Sequence, residues 1–131
     1  MIQSKIGPIL ILLLSITISA CSSADNTVVN EVSAKEAAGM VANGFATIID
    51  VRTDGEWNNK HIPGAKHFVL SDLKNHLDEL KSYKNKKLIM QCATGGRSSK
   101  AVEILQQLGF DNVVNMTGGI VAWQKANLPI E

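Results

Sequence analysis

Short apolar runs alternate with longer amphipathic stretches along most of the chain after residue 27. Near-continuous apolar runs at residues 45–51, 87–91 and 113–116 predict buried strands, because a strand covered on both faces has no polar alternation. Weaker strand signals lie at residues 28–29 and 65–70. Since strands that alternate with helices build parallel sheets, the pattern predicts an α/β domain with an open, mostly parallel sheet flanked by helices on both faces.

The stretches between these runs carry helix signals. Ser33 followed by Glu36 forms a capping box, which predicts that a helix begins directly after Ser33. Apolar spacing predicts helices over residues 34–41, 72–83 and 98–108, and a short one around Trp123. Residues 52–64 are polar and rich in turn residues, with Asp54-Gly55 and Pro63-Gly64, and carry no predicted helix or strand.

The first twenty residues differ from the rest in composition. Lys5 is followed by an uncharged run from Ile6 to Ala20, which is shorter than the roughly twenty apolar residues of a spanning helix. A basic residue, a short apolar core and small residues before a break are typical of a secretory signal. The end of this run, Ile18-Ser19-Ala20-Cys21, resembles the bacterial lipobox, in which Cys21 would be lipidated. An ordinary signal peptide with an incidental cysteine is the alternative.

This interpretation divides the chain into residues 1–21 as a lipoprotein signal peptide and lipobox, 22–27 as a polar tether and 28–131 as one domain. It predicts a periplasmic protein that contacts the membrane only through its lipid anchor. Ser22, directly after the lipidated position, slightly favours the outer membrane, because an Asp there would favour the inner one.

The predicted mature part is electrically neutral. All twelve acidic residues lie after residue 21 and Lys5 is the one basic residue before it, which leaves twelve charges of each sign. A neutral domain gives no electrostatic argument for nucleic-acid binding. The histidines His67 and His76 lack metal-ligand spacing, and there is no Gly-rich nucleotide motif. We therefore expect no metal, no cofactor and, by default, a monomer.

Candidate chemistry is concentrated in the loop after the strand at residues 87–91. Cys92 begins this loop and lies just before a predicted helix, where amide groups and the helix dipole stabilise a thiolate. If Cys21 is acylated, Cys92 has no disulfide partner in an oxidising compartment, which favours a reactive role over a structural one. We expect Cys92 to be the catalytic nucleophile. The anion-binding, substrate-binding nest is predicted to consist of Ala93, Thr94, Gly95, Gly96 and Arg97.

Two chemistries use such a loop, phosphoryl transfer through a phosphocysteine and sulfur transfer through a persulfide. Cysteine phosphatases place an arginine six positions after the cysteine, whereas Arg97 follows Cys92 by five. The smaller loop suits a single terminal sulfur. With Ser98 following, the segment resembles the active-site loop of rhodanese-like sulfurtransferases.

Two further motifs agree with that resemblance. Asp50-Val51-Arg52, then Glu56-Trp57, then His61-Ile62-Pro63-Gly64-Ala65 is similar to the family's signature near the start of its domain, with Lys60 where the family usually has Gly. Gly118-Gly119-Ile120-Val121-Ala122-Trp123 resembles its C-terminal signature. Together the three motifs span nearly all of residues 28–127. The resemblance implies an open five-stranded parallel sheet flanked by helices in a single-domain version.

The resemblance also implies an activity. A sulfane sulfur would pass from a donor such as thiosulfate to cyanide or a thiol acceptor through a Cys92 persulfide. The expected partners are a small sulfur-containing anion or thiol and an unidentified periplasmic thiol protein. Well-studied thiosulfate users carry basic residues after the cysteine, whereas Ala93 and Thr94 are uncharged, so the natural donor stays open. The alternative is a non-catalytic rhodanese-like module that binds a protein partner, which the presence of Cys92 disfavours.

The remaining motif residues are expected to support the site structurally. We expect Asp50, Arg52, Glu56 and His61 to brace the loop beside the cysteine, with Arg52 and Glu56 forming an ion pair. His61 precedes Ile-Pro-Gly and is expected to be a hydrogen-bonded turn residue. Arg97 either binds the substrate anion or braces the loop, and the sequence favours neither.

Overall fold

The computed structural model describes residues 28–131, so the predicted signal peptide, lipobox and tether at residues 1–27 lie outside the described residues. Five parallel strands form one open sheet in the order β1-β5-β4-β2-β3. This confirms the predicted fold class. The strands are β1 Glu31–Val32, β2 Ala46–Asp50, β3 Lys66–His67, β4 Lys87–Gln91 and β5 Val113–Met116.

Helices connect the strands and cover both faces of the sheet. They are α1 Ala34–Ala42, α2 Asp54–Asn59, a 3-10 helix Leu70–His76 that runs into α3 Leu77–Lys81, α4 Gly96–Gln107 and α5 Gly119–Lys125. The capping box predicted from Ser33 and Glu36 is present at the start of α1. None of the helices within residues 28–131 has the length and apolarity that crossing a membrane requires.

The central strand β4 divides the core into two apolar layers. Leu88 and Met90 pack with the buried side of α4, whereas Ile89 between them packs with α1 and α5 on the other face. All three side chains are essentially inaccessible to solvent. A strand covered on both faces needs apolar residues at every position, which explains the continuous apolar run in the sequence.

Two elements differ from their predicted positions. The first strand is Glu31–Val32 rather than residues 28–29, and Val28 is exposed. The predicted helix over residues 72–83 is instead a 3-10 helix followed by a short α-helix. Leu70 and Leu73 are three residues apart, which is the period of a 3-10 helix, and Leu73 is fully buried.

Helix α2 lies within residues 52–64, a stretch whose sequence indicates only polar and turn residues. This helix has no buried residue, so it leaves no hydrophobic periodicity in the sequence. Its signal is instead a second capping box, in which Thr53 and Glu56 bond each other's backbone amides.

The start of α5 lies against the backbone of the cysteine loop, which allows a test of this packing. Gly119 has φ +56°, and a Cβ there would overlap the carbonyl groups of Cys92 and Ala93. Gly44 also has a positive φ, +76°, but a Cβ there would meet nothing within 4 Å. We expect Gly44→Ala to cost about 1 kcal/mol for its left-handed backbone. Gly119→Ala should cost more than about 3 kcal/mol, because rigid backbone must also move.

Urea denaturation of both variants measures this difference. Equal losses of stability would show that the contact between α5 and the loop is loose enough to accept a methyl group.

Candidate active site

The loop between β4 and α4 curls around the sulfur of Cys92. The backbone amide of Gly95 donates a hydrogen bond to Sγ at 3.0 Å, and the Ser98 hydroxyl lies 3.3 Å from it. Cys92 is the one cysteine among residues 28–131 and is buried. It lies at the carboxyl end of a central strand, the edge where sites form in parallel sheets.

Opposing effects act on the Cys92 thiol. Burial raises its pKa, because a desolvated thiolate is disfavoured. Hydrogen bonds lower the pKa by stabilising the thiolate, and they come from the Ser98 hydroxyl and from the backbone of Ser98, Gly95 and Thr94. The hydrogen bonds prevail, so the pKa of Cys92 lies below its usual range. The loop therefore favours a nucleophilic sulfur.

Helix α5 holds the carbonyl groups on the outside of this loop. The amide of Ile120 donates to the Cys92 carbonyl at 2.9 Å, and the amide of Val121 donates to the Ala93 carbonyl at 3.2 Å. The side-chain amide of Gln91 donates to the same Cys92 carbonyl at 2.8 Å. With its carbonyls bound outside, the loop keeps its amides for the sulfur.

Arg97 links the loop to α2. Its Nη1 and Nη2 atoms donate to the two carboxylate oxygens of Glu56, both at 2.8 Å. The hydrogen bonds from Arg97 lower the pKa of Glu56 to about 2, and the same pair raises the pKa of Arg97. The sequence leaves open whether Arg97 binds the substrate anion or braces the loop. In this structure Arg97 braces the loop through its two bonds to Glu56.

The expected ion pair between Arg52 and Glu56 is wrong. Arg52 instead pairs with Asp50, with Nη2 2.7 Å from one carboxylate oxygen and Nε 3.0 Å from both. Asp50 is fully buried at the end of β2, so its charge requires a partner nearby. Arg52 meets Glu56 only at its backbone carbonyl, 3.5 Å away, because the Glu56 carboxylate turns toward Arg97 and Thr53.

His61 lies in a turn and contacts neighbours outside the cysteine loop. Its ring stacks on Trp57 with centroids 3.8 Å apart, Nδ1 lies 2.9 Å from the Trp57 carbonyl, and Nε2 lies 3.2 Å from the Glu131 carboxylate. His67 stacks on Trp57 as well, at 4.8 Å. Within the described range no three His, Cys, Asp or Glu side chains are grouped so that they could hold a metal ion.

Two polar residues that the sequence motifs do not single out lie at the site, Ser98 and Asn115. The Ser98 hydroxyl lies beside the sulfur, and Asn115 on β5 lies 2.6 Å from that hydroxyl. Both are buried. Asn115 is the one polar residue in the apolar run of β5, and a polar residue inside a buried strand is the signal that was available for it.

The sequence profile of the rhodanese-like domain matches residues 33–126, from the first capping box to the end of α5. The chain belongs to the rhodanese-like domain family. The match includes all the contacts of the cysteine loop described above.

Relatives of this rhodanese-like chain include named sulfurtransferases. The thiosulfate sulfurtransferase GlpE of Actinobacillus pleuropneumoniae is 31% identical over 101 residues, which cover 77% of this chain and 92% of that protein. The probable adenylyltransferase/sulfurtransferase MoeZ of Mycobacterium tuberculosis is 35% identical over 82 residues. That alignment covers 63% of this chain but 21% of MoeZ, so the chain spans about a fifth of the length of that relative.

Solved structures agree with the sequence matches. A rhodanese-related protein from Thermoplasma volcanium superposes with a TM-score of 0.70 at 30% sequence identity. The superposition covers 78% of this chain and 97% of that chain. The five-stranded parallel sheet is thus shared with members of the family.

The bond between Arg97 and Glu56 predicts how stability depends on pH. Because the pKa of Glu56 falls from 4.5 to about 2 in the folded chain, its stabilising contribution is complete above pH 4.5 and is lost as the pH falls toward 2. Glu56→Gln should therefore be less stable than the parent at pH 6, and the difference should shrink between pH 4.5 and pH 2. Urea denaturation at several pH values measures it.

Glu36→Gln is the matched control for this experiment. Glu36 occupies the same position of a capping box, and its pKa is lowered by hydrogen bonds from Ser33 without an arginine partner. We expect a smaller difference from the parent for Glu36→Gln. Equal effects of the two substitutions would mean that the capping box, rather than the bond to Arg97, supplies the stabilisation.

Proposed function

We propose that this rhodanese-like protein is a sulfurtransferase that carries a sulfane sulfur on Cys92 as a persulfide. The observation that carries the proposal is the amide-lined loop around a buried Sγ atom, with hydrogen-bond donors from the Gly95 backbone and the Ser98 hydroxyl. Such donors stabilise a thiolate before attack and a persulfide anion after it.

In the proposed cycle, the Cys92 thiolate attacks the outer sulfur of a donor such as thiosulfate. The S–S bond of the donor breaks, and its electron pair leaves with sulfite. The outer sulfur is then bonded to Sγ and carries the negative charge. Cyanide or a thiolate attacks this outer sulfur, the Sγ–S bond breaks, and thiocyanate or a new persulfide leaves while the Cys92 thiolate is restored.

The size of the loop supports sulfur rather than phosphate as the transferred group. Arg97 follows Cys92 by five positions, so the loop is one residue smaller than a phosphatase loop. Cys92 is also only 1% exposed, which limits access to a small terminal atom. A terminal sulfur fits these limits better than a tetrahedral phosphoryl group.

The charge around the loop bears on the donor. The chain has two arginines, and both are paired with carboxylates, Arg52 with Asp50 and Arg97 with Glu56. The loop positions after the cysteine are the uncharged Ala93 and Thr94. Thiosulfate, a dianion, would therefore be held mainly by backbone amides. We propose that thiosulfate serves as a donor but is used inefficiently.

The proposed cellular setting is the periplasm. The lipobox-like segment ending at Cys21 supports an exported, lipid-anchored protein, with Ser22 slightly favouring the outer membrane. In this setting the acceptor would be a small thiol or an unidentified thiol protein of the same compartment.

Incubation of the full chain with thiosulfate followed by intact-mass measurement tests the proposed chemistry. We expect a gain of one sulfur atom, which cyanide removes as thiocyanate. Cys92→Ser should lose both the added mass and the thiocyanate while keeping the circular dichroism spectrum of the parent. The variant also shows whether any added sulfur resides on Cys21.

Two outcomes would contradict the proposal. Thiocyanate production by Cys92→Ser at the parent rate would exclude Cys92 as the sulfur carrier. A parent chain that gains no sulfur from thiosulfate or from a small hydropersulfide would favour the non-catalytic binding module.

A lysine placed in the loop tests whether missing positive charge limits the use of thiosulfate. Thr94 is exposed, so Thr94→Lys adds a cation near the sulfur without displacing core residues. We expect kcat/KM for thiosulfate to rise about tenfold at low salt, since the new charge attracts a dianion, and the gain to shrink at high salt. Thr94→Gln is the neutral control. A gain as large with glutamine would show that charge is not the limiting factor.

A further inference from the structure

The Ser98 hydroxyl lies within hydrogen-bonding distance of three acceptors. Its Oγ atom is 2.6 Å from Oδ1 of Asn115, 3.2 Å from the Gly95 carbonyl and 3.3 Å from Sγ of Cys92. A serine hydroxyl has one proton to donate. The three acceptors therefore compete for it, and the shortest distance belongs to Asn115.

The orientation of the Asn115 amide follows from its other contacts. Its Nδ2 atom lies 3.2 Å from a carboxylate oxygen of Glu31 and 3.2 Å from the Gly95 carbonyl, both of which only accept hydrogen bonds. The Nδ2 protons satisfy these two acceptors, so Oδ1 faces Ser98 as an acceptor. Asn115 is 2% exposed, so water cannot readily replace these bonds.

We propose that Asn115 is a positioning residue that controls the ionisation of Cys92. It does so by accepting the hydrogen bond of the Ser98 hydroxyl, which then cannot donate to the sulfur. With the proton donated to Asn115, a lone pair of Oγ faces Sγ and accepts the S–H proton of the thiol. When the thiol ionises, its proton passes to solvent, the hydroxyl turns to donate to the sulfur, and the 2.6 Å bond to Asn115 is broken. Asn115 thus favours the thiol over the thiolate.

This inference rests on the proposed function, in which the free thiolate alternates with the persulfide. In the persulfide the negative charge lies mainly on the outer sulfur, and Sγ is a weak acceptor. The hydroxyl can then return to Asn115 at no cost to the sulfur. Asn115 therefore favours the loaded state over the free thiolate. No proton is gained or lost between the free thiolate and the persulfide, because both are anions; the Ser98 hydroxyl only turns.

Charged residues lie on the elements that pack against the loop or against α4, and the test must leave them unchanged. They are Glu31 on β1, Asp50 and Arg52 at the end of β2, Glu56 on α2 and Arg97 on α4, with Asp72, Lys74 and His76 on the 3-10 helix packed against α4 and Lys100 further along α4. Substitutions of the neutral residues Asn115 and Ser98 alter none of these charges.

Asn115→Leu removes the nearest competing acceptor at similar volume, and the Gly95 carbonyl remains at 3.2 Å from the hydroxyl. The other partners of Asn115 keep hydrogen bonds, since the Gly95 carbonyl still accepts from the Ser99 amide at 3.0 Å and Glu31 still accepts from Thr117. The pKa of Cys92 is read from the pH dependence of its alkylation by iodoacetamide, followed on the peptide that contains Cys92. We expect Asn115→Leu to lower this pKa by about one unit, a tenfold gain in the thiolate ratio.

The effect of Asn115→Leu is compared in the parent and in a Ser98→Ala variant, which distinguishes an effect through the hydroxyl from a structural one. Ser98→Ala removes the hydroxyl that transmits the effect, so it should raise the pKa of Cys92, and adding Asn115→Leu to it should change the pKa by less than about 0.3 units. If Asn115→Leu shifts the pKa equally in both backgrounds, or raises it in the parent, the proposal is overturned. A purely structural role of Asn115 would act in both backgrounds.

Asn115→Val is the second variant if leucine prevents folding, because a β-branched side chain suits a strand.

Sulfur loading from thiosulfate is measured separately by intact mass, which distinguishes failure of this inference from failure of the proposed function. A chain that shows the expected pKa cycle but never gains sulfur would contradict the proposed function while supporting the role of Asn115.

Discussion

A sulfur atom that must become an anion while buried needs hydrogen-bond donors around it, and this requirement determines the architecture of the site. A backbone loop supplies donors only if its amides point inward, which turns its carbonyls outward, where they need donors of their own. The amides of Ile120 and Val121 at the start of α5 meet that second need at the carbonyls of Cys92 and Ala93. The absence of a side chain at Gly119 permits the approach.

The sheet brings the supporting elements together from distant parts of the chain. Arg97 and Glu56 are separated by 41 positions, yet their bidentate bond joins the start of α4 to α2. Glu56 also caps α2, so one carboxylate fixes both the helix and the loop. On the other side, Asn115 connects the loop carbonyl of Gly95 with Glu31 on the edge strand β1.

The sequence predicts the fold class well because buried parallel strands leave continuous apolar runs, and β4 and β5 coincide with the predicted runs. It predicts α2 poorly because a helix without buried residues leaves no periodicity. The sequence also does not reveal that Arg97 is the partner of Glu56. Pairing Arg52 with a residue four positions away is a local inference, whereas the actual partner, Arg97, is adjacent only after the sheet has formed.

The pairing of both arginines has a consequence for selectivity. On the proposed function, a loop whose single guanidinium is bound by Glu56 would recognise its substrate through backbone amides, which respond to the size and placement of a negative atom more than to total charge. Among the described residues, Glu31 accepts hydrogen bonds from the neutral side chains of Asn115 and Thr117, and its carboxylate adds negative potential near the loop. A donor that presents a terminal sulfur with little net charge therefore meets less repulsion than a dianion does. Because the Arg97 charge is paired with Glu56, the ionisation of Cys92 depends mainly on hydrogen bonds. The direction in which the single Ser98 hydroxyl donates therefore affects the ionisation of the thiol.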